Sequence, residues 1–290
     1  MAGNTTTSSL TDSLNSIIAA ARVVRENEGV MPNLVDKKTL GVGIGLDWKE
    51  ISLAQLTAQT VTENVELHNP QEITDTIFTI TPTVIGIHTI LTDRVKARIS
   101  PIVFGEVGRL GQNAIQRKKD EDGLVVLDGA TTSLCGAGFT LATGYVSAAE
   151  AQITGNATER GVPPIYCVLH PYQVKDLRDE LTAGMLTAPV PEGLTARVFT
   201  ENNIGRIGTV SVYSDGNISV DAASDAKGGV FAREAIVLVQ GRAPWGKEVR
   251  NEKLGGGATE YLLYDEYAYG ERSAGNWLFE LYSDATAPTS

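Results

Sequence analysis

The side chains with which this chain could do chemistry are few: three histidines, two cysteines and some adjacent carboxylates. His68 stands in turn-like sequence, His88 in a strand-like run and His170 directly before Pro171, and none belongs to an HExxH or comparable metal arrangement. Cys135 and Cys167 have no second Cys or His at ligand spacing, so neither a zinc knuckle nor a disulfide framework is expected. Both read as small buried hydrophobes. Gly41, Gly43 and Gly45 invite a phosphate-loop reading, but Asp47, Trp48 and Lys49 lead on into strand-like sequence rather than a helix. Those glycines let the backbone bend. Neighbouring acids such as Asp265 and Glu266 would need a cleft that shifts their pKa before they could act as acid and base. No GxSxG elbow, Walker loop or kinase signature occurs. The expectation is a non-enzymatic protein without metal or cofactor.

The chemistry left is self-recognition by charge. Residues 50–93 carry six carboxylates and no Lys or Arg, whereas residues 94–119 carry seven cations and one carboxylate. The blocks adjoin in sequence and oppose in sign. A charge block is ordinarily a solvated face. Two of opposite sign on one chain also suit pairing between copies.

With 290 residues, 42% of them hydrophobic, the chain can bury a real core in two ordinary domains or one elaborated one. A net charge of −11 argues against nucleic-acid binding, since the cations cluster only at 94–119. The Thr- and Ser-rich start has neither cation nor apolar run, so no secretory signal is expected, and no apolar stretch is long enough for a membrane helix. The chain reads as made and kept inside a cell.

Thr11 or Asp12 can cap a helix of about four turns with Leu14, Ile17, Ile18, Ala21 and Val24 on one stripe, stopped by Gly29 and Pro32. Residues 55–67 and 72–84 are rich in Thr, Val and Ile and flank a turn at His68, Asn69, Pro70 and Gln71. Two such strands would reach about 40 Å. Eight Thr and few large apolar groups leave that hairpin too little to stand alone, because an isolated ribbon is marginal in water. Ser100 and Pro101 offer an N-cap and first-turn proline for a helix with Val103, Val107, Leu110 and Ala114 on a buried stripe, running to about Lys119 with Gly123 as terminator. A small-residue stretch follows at 130–144. Beyond it come a strand at 165–169, a helix from Pro171 with Val174, Leu177 and Leu181 on one side, and strands at 209–213, 235–240, 260–269 and 277–282. Residues 214–217 and 255–257 read as turns or loops.

This order of segments resembles the major capsid protein of tailed bacteriophages, the Hong Kong 97-like fold. The carriers are the arm, the polar hairpin, the helix entered by Ser100 and Pro101 and followed by Leu124, Val125, Val126, Leu127, Asp128 and Gly129, the Leu169, His170, Pro171 junction, and the run from Lys227 through Phe231 and Arg233 to Leu238. The resemblance implies an α+β chain: an N-terminal arm at 1–45, an extended β-hairpin loop at 46–85, a peripheral domain at 86–140 and 241–272 with a spine helix at about 101–122, and an axial domain at 141–240 and 273–290. It further implies a coat protein that assembles into pentamers and hexamers of an icosahedral head around double-stranded DNA, which it encloses without sequence-specific binding. In such proteins the extended loop lies across a neighbouring subunit's peripheral domain. Glu63, Glu66, Glu72 and Asp75 of one subunit would then meet Arg109, Arg117, Lys118 and Lys119 of the next. The implied location is the virion, after assembly in host cytoplasm, with no membrane contact. Implied partners are further copies, a portal, a separate scaffolding protein and a cement or decoration protein. The scaffolding expectation comes from the lack of the N-terminal scaffolding segment that some relatives carry and cleave. Residues 50–93 contain no Lys, the usual donor for a covalent loop crosslink, so contacts rather than isopeptide bonds are expected to hold the shell. An encapsulin shell shares the fold, and a soluble α/β enzyme or binding protein is the other alternative.

Overall fold

The computed structural model describes residues 4–5, 26–27, 29–41, 43, 45–64, 66, 68, 70–98, 101–187 and 205–289, with side chains undescribed at 4–5, 101–105 and 181–187. The arm helix expected at 11–25 lies outside these, as do the side chains of Val103 and Leu181.

Asn4–Thr5 (β1), Asp36–Thr39 (β2), Thr83–Thr92 (β5), Ile236–Asn251 (β11) and Ala258–Glu271 (β12) form a sheet in the order β1-β5-β12-β11-β2. Its centre is the long antiparallel pair β11–β12, which turns back through Gly256 and Gly257 at φ +88° and +78°. Such angles cost glycine nothing. Ser133–Cys135 (β6), Ile165–Leu169 (β7), Arg206–Ile207 (β8), Val210–Ser214 (β9), Asp225–Ala232 (β10) and Leu278–Asp284 (β13) form a second sheet in the order β6-β13-β10-β7-β9-β8. Trp48–Leu53 (β3) and Asp75–Ile80 (β4) make a separate two-stranded ribbon. The chain leaves the second sheet after β10, enters the first at β11, and returns between β12 and β13. The boundary expected at 240/241 therefore falls inside β11, and β6, expected with the first unit, pairs with β13 in the second.

The main core lies under the second sheet, where Phe231, Ile165, Leu169, Leu278 and Leu281 are buried completely. Helix Thr143–Thr154 contributes Val146, Ala149 and Ile153, spaced by three and four so that they share one face. The sequence reading places no element there: its small-residue stretch ends at Gly144, at the start of this helix. Helix Pro171–Thr187 starts where the proline places it and buries Val174 and Leu177.

The long helix differs from expectation. It spans Pro101–Asp128, running straight through Gly123. A Cβ at Gly123 would lie 2.9 Å from that of Met31, so this glycine admits the arm instead of ending the helix. Leu124 and Leu127 beyond it are buried in the main core, and that burial carries the helix on. The stripe also shifts: Leu110 is 44% exposed, and the covered face comprises Ile115, Lys119, Asp120, Leu124 and Leu127.

Candidate assembly surface

The ribbon is anchored at one end and bare at the other. Its register runs from Trp48 opposite Ile80 to Leu53 opposite Asp75. At the root, Trp48 and Phe78 meet edge to face at 6.2 Å, and Ile80 packs on Val237 and Val239. Arg272 ties the root down: its Nε donates to Glu50 at 2.8 Å, one Nη to Asp36 at 3.1 Å and the other to the Glu234 carbonyl at 2.7 Å. Burial opposes ionisation of Asp36, but its bonds to Arg272 and Lys38 outweigh that and hold its pKa below the ordinary carboxylate value. These groups line a cavity of about 820 Å³ beneath the ribbon.

The hairpin strands are shorter and lie closer to the root than the sequence predicts. After Leu53 the last rung is the Ala54 N–H donated to the Thr74 carbonyl at 2.9 Å, and none of the described residues between 54 and 74 is in a strand. The Thr- and Val-rich legs have β propensity but are exposed among the described residues, and propensity without a covered face does not hold a ladder. The Thr57 N–H donates to Gln71 at 2.8 Å and links the two legs.

Large apolar side chains project from this region into solvent: Ile51, Leu53, Leu56, Val61, Ile73 and Ile77 are each more than half exposed. Ile51 and Ile77 sit directly opposite one another, on the face turned away from Trp48 and Ile80. Glu63, Glu66, Glu72 and Asp75 are exposed as well, with His68 beside Glu66 at 3.4 Å.

The cations do not form the open basic face that the sequence suggests. Arg109 pairs with Glu106 at 2.9 Å, Arg117 with Glu26 at 3.1 Å and Lys118 with Asp122 at 2.6 Å, each pair part-exposed and worth about 0–1 kcal/mol. The bond to Asp122 raises the pKa of Lys118. Lys119 is a correction: it is buried, with its ammonium 2.5 Å from Gln240 and 3.2 Å from the buried Asp265. A helix turns each residue by a fixed angle, so adjacent lysines face different surroundings and only Lys118 reaches solvent. Arg94 and Arg98 are exposed and have no ion pair among the described residues.

Alongside the helix lies a groove of about 280 Å³ between it and the first sheet, walled by Ile87, Val107, Gly111, Tyr261 and Leu263. It is lined mostly by apolar side chains. Neither this groove nor the role of Arg272 is visible in the sequence, since both depend on residues brought together from distant segments.

No family model matches the chain, and no curated protein matches it. Solved structures do. "Cyanophage Pam1 capsid asymmetric unit" superposes with a TM-score of 0.73 at 9% identity, covering 99% of this chain and 100% of that one. "Capsid structure of the Cyanophage P-SCSP1u" gives 0.70 at 11%, covering 94% and 93%. "Mycobacterium phage Che8" gives 0.69 at 15%, covering 92% and 97%.

Proposed function

We propose that this chain, which has the Hong Kong 97-like fold of those phage capsid subunits, is a major capsid protein whose copies form the pentamers and hexamers of an icosahedral head around double-stranded DNA. Its role is structural rather than catalytic, and its place is the virion after assembly in host cytoplasm. The observation that carries this is the ribbon of β3 and β4 with the loop between them, where six large apolar side chains stand in water on an element tied down at its root. Exposed apolar patches of this kind mark association surfaces.

In this reading the loop of one copy covers the helix and first sheet of the next, with the groove at Val107, Tyr261 and Leu263 receiving apolar side chains. Magnitudes decide what holds the contact. Covering an Ile or Leu side chain contributes about 1.5–3 kcal/mol. An exposed ion pair contributes about 0–1 kcal/mol. Apolar contact thus supplies affinity, while Glu63, Glu66, Glu72 and Asp75 facing Arg94, Arg98 and Arg109 set register. The same patch-to-patch contact repeated head to tail closes into rings. Further partners in this reading are a portal, a scaffolding protein and a cement or decoration protein.

Negative-stain electron microscopy with sedimentation of the purified chain tests it. Rings, capsomers or shells of megadalton mass are the expected result, and a monodisperse monomer at every concentration and salt overturns the reading.

A further inference from the structure

Where the arm crosses the long helix, it rests on two buried carboxyl groups. Asp120, from the helix, is 0% exposed, and Asp215, from the turn after β9, is 1% exposed. Asp120 accepts the Met31 N–H at 2.9 Å and a bond from the Asn217 amide at 2.9 Å. Asp215 accepts the Val30 N–H at 3.2 Å and the Asn217 N–H at 2.9 Å. The two carboxyls thus accept from successive N–H groups of the arm and from the same Asn217, which brings them together under the chain. Gly29 lies flat on this pair: a Cβ there would stand 2.2 Å from Asp120 Cγ. Gly216 likewise leaves the space filled by the Asn27 amide. The arm, the helix and the second sheet therefore meet at one point.

The surroundings offer no counter-charge among the described residues. On the helix, Arg117 is held by Glu26 and Glu121, Lys118 by Asp122, and Lys119 turns to Asp265. From β12, the buried Tyr269 hydroxyl has no partner among the described residues, and its pKa is raised by burial first and by the charge of Asp120 next. His170, at the end of β7, is held toward neutrality by burial, against the pull of Asp215. Two carboxyls buried together without a cation disfavour a second negative charge, so protonation of one is favoured there.

We propose that Asp120, buried beside Asp215, is a proton-dependent latch that closes the arm onto the long helix when its carboxyl is protonated and loosens it when that carboxyl is ionised. Burial first, and then Asp215, push the Asp120 pKa up to about 7, against the lowering effect of its bonds to Asn217 and Met31. A carboxyl raised in the folded state contributes stability that is complete below its unfolded value of 3.8 and is lost as pH rises through the folded value. The latch is accordingly tight in mild acid and weakens toward pH 7.

Hydrogen exchange of the full chain, followed on the peptide covering residues 29–35 and normalised at each pH to the unfolded chain, reads the latch directly. Protection should fall by about tenfold or more between pH 5 and pH 8, while a peptide from β10 holds constant. Asp120→Asn removes the titrating group and should flatten the profile, whereas Asp215→Asn leaves Asp120 buried and should move the step to lower pH. A wild-type profile without a step overturns the proposal, and so does a step that survives in Asp120→Asn; if that variant fails to fold, a step that stays at the wild-type pH in Asp215→Asn overturns it instead. The measurement applies equally to free and assembled chains, so it stands or falls apart from the capsid reading.

Discussion

Two antiparallel pairs in this chain, β10 with β13 and β3 with β4, follow the same ladder geometry but are finished differently. Along β10 every residue but one is buried, because the helices Pro101–Asp128 and Thr143–Thr154 cover the pair. Along β3 and β4 only Ile80 is buried, although Ile51, Leu53 and Ile77 are as apolar as anything in the core. The first pair finds its cover inside the chain, whereas the second carries the same kind of side chain with no cover of its own. In the proposed function, the difference means that folding and assembly draw on the same apolar burial, divided between regions.

That comparison can be broken or sharpened by substitution. The largest effect is expected in the closed region: Phe231→Ala should cost about 3–5 kcal/mol in denaturant unfolding, and assembly should fail with the fold. Lys119→Ala belongs beside it, since it strands the buried Asp265 and should cost about 3 kcal/mol; a value near zero would return Lys119 to the surface. In the open region the two readouts should separate. Ile51→Asp with Ile77→Asp should leave unfolding within about 0.5 kcal/mol of the parent, yet abolish particles by electron microscopy. Equal loss of both would mean that the ribbon is part of the folding core. The smallest effect is expected for Glu63→Lys with Glu66→Lys, which should slow assembly measured by light scattering, most at low salt, and leave stability unchanged. Unaltered assembly rates would remove charge from the contact.

Much of the scaffold was legible because its patterns are local. The strand at Ile165–Leu169 and the helix start at Pro171 match the reading, and the strands expected near 210, 236, 260 and 278 are present, with β11 extending well beyond its expected end. The misses have physical causes. Gly123 reads as a stop because intrinsic propensity disfavours glycine in helices, and tertiary cover by Met31 overrides it. Residues 55–67 read as strand because Thr and Val favour strands, and the lack of a covering surface among the described residues overrides that. Counting cations along the long helix also fails where it matters: Arg117, Lys118 and Lys119 look alike in sequence and face three different surroundings.

The sequence by itself determined the order of segments, the acidic loop without Lys, and the basic stretch beside it, because these are properties of composition and spacing. Only the tertiary structure decided which charges are spent internally, that an apolar groove opens beside the helix, and that Asp120 and Asp215 both hold the arm and Asn217. Those depend on residues from remote segments meeting at ångström distances, and one-dimensional spacing carries no such information.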